Sequence, residues 1–152
     1  MGLNLSNLKG ADAKGFEAIP AGTYDAVVYE AGHVAVKEGT DGSLPAGNPG
    51  IKVQFKIDGG EYDNRRVFTN FWLAPKGHEK KQVMDNILAA FLVAIGYDED
   101  EVTGGKLEID YEDLVGRECR VSVGTQTYNG SVTNNVKGVR PRSEVSAGSS
   151  LL

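Results

Sequence analysis

Cysteine is almost absent from this chain. Cys119 is the single one in 152 residues, so there is no intrachain disulfide framework and no Cys-rich zinc site. Histidine is nearly as scarce: His33 and His78 are far apart and have no Cys or Ser beside them, which leaves a His-based metal or nucleophilic site without partners. The longest apolar run, Ile87–Ile95, falls far short of the ~20 residues that cross a bilayer. No charged-then-apolar leader precedes a small-residue cleavage site, and the expectation is a cytoplasmic chain with no membrane contact. The Gly-rich stretch 39–50 lacks the Gly-Lys-Ser/Thr ending of a phosphate-cradling loop. Asp98-Glu99-Asp100-Glu101 has carboxylates enough for a hard cation but not the ligand spacing of a calcium loop. The reading is of a non-enzymatic protein with no catalytic residue, no metal and no cofactor.

What is present begins with glycine, at 20 residues, about twice the usual ~7% share, which points to many turns and short strands. The net charge of −5 argues at first against a polyanionic partner, but the mean hides a partition. Residues 50–81 hold seven bases against four acids, and residues 117–142 hold five bases against one acid. Between them, residues 82–116 hold one base against nine acids. If the two basic segments are neighbours in space they form a positive face, and local potential rather than net charge steers a polyanion.

Pattern along the chain predicts five strands and one main helix. Residues 1–18 have no sustained period and read as an irregular arm. Thr23–Val36 reads as a long strand that bends near Gly32, and Glu38–Gly50 as a long loop. Ile51, Val53, Phe55 and Ile57 alternate with Lys52, Gln54, Lys56 and Asp58, the period of a half-buried antiparallel strand. Asp58-Gly59-Gly60 marks a turn, and Arg65–Leu73 forms a third strand with Val67, Thr69 and Phe71 on one face and Arg66, Phe68, Asn70 and Trp72 on the other. Met84, Ile87, Leu88, Phe91, Leu92 and Ile95 recur at helical spacing before Gly96. Asp98–Gly105 reads as an acidic loop, and Tyr111–Val115 as one capped turn of helix. Cys119, Val121 and Val123 alternate in a fourth strand, Tyr128-Asn129-Gly130 marks a hairpin, and Val132–Val139 forms a fifth strand that is irregular at Asn134-Asn135. Residues 142–152 read as a flexible tail. The expected fold class is all-β with one main helix: an OB-fold over residues 19–141, a five-stranded Greek-key barrel with the helix between strands 3 and 4.

Such a barrel binds oligonucleotides on its strand 2–3 face and neighbouring loops. A groove that holds a single strand without reading sequence needs cations along the phosphates and aromatic faces for stacking, each stack worth roughly 1–3 kcal/mol. Lys52, Lys56, Arg66, Arg120, Lys137 and Arg140 are the expected phosphate contacts, with Trp72 and Tyr128 the expected stacking residues. Phe68 and Tyr62 lie on or beside the third strand. Trp72 fits either a core anchor or a stacking platform. Arg65 and Arg66 point to opposite faces of a regular strand, so at most one of them faces the groove.

Four stretches carry a family resemblance: Ile19-Pro20-Ala21-Gly22-Thr23-Tyr24, Gly60-Glu61-Tyr62-Asp63-Asn64-Arg65-Arg66-Val67-Phe68, Asp113-Leu114-Val115-Gly116-Arg117-Glu118-Cys119 and Asn134-Asn135-Val136. Across roughly residues 16–141 the chain resembles small proteins of tailed bacteriophages, catalogued as a domain of unknown function and often labelled single-stranded DNA-binding. The resemblance implies a phage protein that acts on single-stranded DNA during replication or recombination in the cytoplasm of the bacterial host. Phage replication or recombination proteins and a second copy of the chain are the protein partners it allows for. The chain ends Ser149-Ser150-Leu151-Leu152, unlike the acidic, partner-recruiting tail of many bacterial single-strand binders. A phage structural or protein-interaction module, using the same barrel without DNA, is the rival reading.

Overall fold

Alternating apolar residues on five segments build one antiparallel sheet, seen in a computed structural model that describes residues 2–4, 17–37, 44–105 and 107–142. The strands are β1 (Gly22–Ala35), β2 (Pro49–Ile57), β3 (Arg66–Trp72), β4 (Glu118–Tyr128) and β5 (Ser131–Arg140), in the order β3-β2-β1-β4-β5. Between β3 and β4 stand α1 (Lys81–Ala94), α2 (Glu99–Thr103) and α3 (Tyr111–Leu114). Most of the expected irregular arm, part of the long loop and the tail from residue 143 lie outside the described residues.

The period-2 reading of β2 and β3 is seen in the burial. Ile51, Val53, Phe55, Ile57, Val67 and Phe71 are buried, while Lys52, Phe68 and Asn70 are exposed. The buried side of the sheet receives α1 through Phe91, which meets Phe55 edge-on at 5.9 Å between ring centres and stacks on Phe71 at 4.4 Å. Ala26, Val28, Leu88, Leu92, Leu114, Cys119, Val121 and Val123 complete the same core. Burying a side chain of the Phe or Leu class contributes about 1.5–3 kcal/mol, so this layer of helix on sheet is what holds the strands in one curved body.

Four expectations are corrected. The sheet is not closed: β3 and β5 are its edges. They approach each other while α1 packs on both, so helix side chains fill the space that a closed ladder would seal. Three helices separate β3 from β4: α1 and α3 stand where the main helix and the capped turn are expected, and α2 is additional. Asp98–Gly105, expected as an acidic loop, contains α2, because Asp98 caps it by accepting from the Glu101 backbone N–H at 3.2 Å. Acidic residues in that first turn also suit the positive end of the helix dipole. The irregularities of β1 and β5 are bulges at neighbouring positions, not at Gly32 or at Asn134-Asn135. Register jumps from Val28↔Phe55 to Glu30↔Gln54, leaving Tyr29 as the extra residue, and from Ser122↔Gly138 to Val123↔Val136, leaving Lys137.

The β4–β5 hairpin turns where expected, with Asn129 at φ 51° and Gly130 at φ 82°, the paired positive φ values that a two-residue hairpin turn requires. At its base Asn134 works as a clamp. Its amide accepts from the Ile19 N–H at 2.9 Å and donates to the carbonyls of Ile19 and Gly124 at 2.8 and 3.1 Å, pinning the chain just ahead of β1.

Candidate nucleic-acid interface

Register fixes which side chains share the outward face of the sheet. Across β3, β2 and β1 the pairs are Arg66↔Lys56↔Val27, Asn70↔Lys52↔Gly32 and Trp72↔Gly50↔Val34. Residues in one cross-strand row point to one face. Arg66, Lys56, Lys52 and Trp72 are therefore brought together with Phe68 and Asn70 on the side opposite α1. Phe68 is 58% exposed, a large apolar ring held in water by a strand whose other face is in the core.

The Tyr29 bulge adds a residue that periodicity did not single out. Tyr29 is 42% exposed, with the Arg66 guanidinium 4.5 Å from its ring centre and the Lys56 ammonium 5.7 Å away. A cation over a tyrosine face gains about 0.5–1 kcal/mol at an exposed site, and here the larger effect is positional, since the ring holds two cations from two strands side by side. The signal that could have found it was the β-branched and aromatic run Val27-Val28-Tyr29 meeting Glu30 out of phase. A bulge restores the phase by adding one residue to the strand.

Trp72 sits on the outward row, half-buried. Its ring lies across Gly50: a Cβ at that position would be 2.6 Å from the indole and 2.6 Å from the Phe71 carbonyl. Trp72 is not part of the buried core: its indole edge lies over Gly50 of β2 while the residue keeps partial exposure.

The remaining predicted cations occupy the other half of the same face. Lys137 and Arg140 are exposed, and Lys137 lies across Gly124, where a Cβ would be 2.4 Å from its Cε. Arg120 is ion-paired: Asp25, its partner in the β1–β4 register, accepts from its guanidinium at 3.0 Å, and both side chains stay partly exposed. Arg142, counted in the basic segment, is likewise neutralised. It bonds Asp58 at 3.0 Å, contacts Glu118 and donates to the Ala26 carbonyl at 2.6 Å. Arg65 points away from Arg66, toward Glu17 at 3.7 Å. Tyr62 leaves the face too, packing edge-on to Tyr24 at 6.0 Å against the core. The Tyr128 side chain lies outside the described structure.

The face thus has two cationic patches. One is Lys52, Lys56 and Arg66 with Tyr29, Phe68 and Trp72 on β1–β3; the other is Lys137 and Arg140 on β5. Between them run β1 and the start of β4, where Asp25 and Glu118 are paired to Arg120 and Arg142. The acidic stretch 98–113 belongs to α2, α3 and the segment joining them. Among the described residues no three His, Cys, Asp or Glu side chains converge as a metal site requires, and no helix is long and apolar enough to cross a membrane.

Compared with known families, residues 6–149 match the model described as "Protein of unknown function (DUF669)". No curated protein matches the chain.

Proposed function

The chain belongs to the DUF669 family, and from the face that its sheet presents we propose that it binds single-stranded DNA with little sequence preference. The observation that carries this reading is the outward patch on β1–β3, where exposed Phe68 and Tyr29 alternate with Lys52, Lys56 and Arg66. Cations there track phosphates while aromatic rings take unpaired bases, and every base offers a face to stack whatever its identity. Lys137 and Arg140 extend the phosphate path onto β5. The strand order supports an OB-type barrel left open between its third and fifth strands, and OB barrels bind oligonucleotides on the corresponding strand 2–3 face. With the resemblance to phage proteins, the reading is of a cytoplasmic protein that holds phage single strands during replication or recombination.

Trp72 is the single tryptophan and lies on the proposed face, so it reports binding directly. Titrating the protein with an oligo-dT strand at low salt is expected to change its fluorescence, and binding weakens as salt rises because phosphate contacts release counterions. Absence of binding at low salt, or binding indifferent to salt, overturns the reading.

A further inference from the structure

Two consecutive residues of β1 face outward at its bulge. Val28 is buried on one side of them and Ala31 packs against the core on the other, while Tyr29 and Glu30 are both exposed. A regular strand would send one of the two inward. The extra residue between Val28↔Phe55 and Glu30↔Gln54 lets both stay in water. Tyr29 meets the cations of the patch, and Glu30 adds a carboxylate beside it.

The row that holds this carboxylate runs Phe68↔Gln54↔Glu30 across β3, β2 and β1. Arg66 and Lys56 lie in the row on one side of it, and Asn70 and Lys52 in the row on the other. Each is about 7 Å away at the ordinary rise of a strand. Asp25 and Glu118, in outward rows of β1 and β4, are compensated by Arg120 and Arg142. Glu30 enters no ion pair among the described residues. An unpaired carboxylate at the centre of a cationic patch weakens its attraction for phosphates. Its place calls for a ligand group that a carboxylate holds and a phosphate does not offer, which is a hydrogen-bond donor.

We infer that Glu30 reads the edge of a base stacked on Phe68 and favours cytosine over thymine. This preference rests on the single-strand reading of the face and lies within it. With its base on the Phe68 ring, a nucleotide has Lys56 and Arg66 on one flank and Lys52 on the other for its two phosphates, and the base edge turns across Gln54 toward β1. Phe68 and Glu30 are two strand spacings apart, about 10 Å between backbones, a span that a pyrimidine and the two side chains fill. A carboxylate only accepts, whereas the Gln54 amide both donates and accepts. Cytosine offers its N4 amino group to Glu30 and its N3 to the Gln54 amide. Thymine puts the O4 carbonyl where the amino group would be, and two acceptors repel. That edge is open in an unpaired base and closed in a duplex.

Anisotropy titrations with labelled oligo-dC and oligo-dT of equal length, at neutral pH, test it on the full chain and on Glu30→Ala, Glu30→Gln and Lys52→Ala. The wild-type chain is expected to bind oligo-dC roughly fivefold tighter than oligo-dT, the low end for one side chain on one base edge. Glu30→Ala and Glu30→Gln are expected to bring that ratio to about one, because alanine offers no acceptor and an amide suits either base. Both also bind oligo-dT tighter than wild type does. Lys52→Ala is expected to weaken both strands equally and keep the ratio, as a phosphate contact does. Equal binding of both strands by the wild-type chain overturns the inference and leaves DNA binding standing. A ratio that survives Glu30→Ala overturns it too, since the preference then has another source. If neither strand binds at low salt, the single-strand reading fails and the preference fails with it.

Discussion

At the level of single residues, the site depends on which side of a strand each side chain occupies. Phe68 is exposed and Phe71, three positions on, is buried, so alanine at each separates function from stability. Phe68→Ala is expected to weaken oligo-dT binding by about 1–3 kcal/mol while leaving the denaturant midpoint within about 0.5 kcal/mol of wild type. Phe71→Ala, in the ring stack with Phe91, is expected to cost about 3–5 kcal/mol of stability in the same unfolding experiment. Cys119 carries a pH signature. Burial is the main cause that pushes its thiol from 9.0 up to about 12, with Asp25 adding and the Arg142 guanidinium opposing. The thiol is neutral in both folded and unfolded chains below pH 9, so its contribution to stability is complete there. Between pH 9 and 12 the unfolded chain loses the proton first, and stability falls with rising pH. Urea unfolding across that window is expected to show a decline that is shallower in Cys119→Ala. The same burial makes the thiol inert at neutral pH, and its reaction with a disulfide reagent tracks unfolding.

Elements succeed or fail here on local backbone chemistry. Gly50 is the clearest case, since the Phe71 carbonyl and the Trp72 ring occupy the space that a side chain would need. Gly50→Ala is therefore expected to destabilise the β2–β3 pair by about 1–3 kcal/mol, and to shift the Trp72 emission because the indole must lift off β2. α2 depends on its cap in the same way. Removing the Asp98 acceptor with Asp98→Ala is expected to cost about 0.5–2 kcal/mol, seen as faster amide exchange confined to residues 99–103. Much at this scale was legible in sequence: alternation located β2 and β3, helical spacing located α1, and Asn129-Gly130 located the hairpin. The missed elements have identifiable causes. α2 was hidden because a run of acids resembles a loop unless the Asp98-to-Glu101 spacing is taken as a cap. Both bulges were hidden because one extra residue shifts the phase without leaving a composition signal.

For the molecule as a whole, the question is how charges far apart in sequence combine. Lys52, Lys56 and Arg66 reach one patch because β2 and β3 pair with Lys56 opposite Arg66. Each phosphate neutralised on a single strand contributes about −0.7 to the slope of log K against log salt. Replacing all three with alanine is thus expected to flatten the slope by about 2, whereas Arg120→Ala leaves it nearly unchanged because Asp25 already holds that guanidinium. A slope that falls equally for both variants means that the phosphate path crosses β4, and the site as drawn is wrong.

The sequence by itself determined the elements that depend on local period and turn chemistry, together with the presence of two basic segments around an acidic one. It could do so because side-chain alternation and positive φ are properties of a few consecutive residues. Only the tertiary structure decided which charges remain available. Arg120 and Arg142 read like Lys52 and Arg140 in the chain, yet strand pairing brings Asp25 to the first and Asp58 and Glu118 to the second. It also decided that the sheet stays open, because α1 fills the space between β3 and β5, and that Tyr29 joins the face, because a bulge turned its ring toward Arg66. Ion pairs between residues 24 to 95 positions apart have no local signature, and the fold alone sets them.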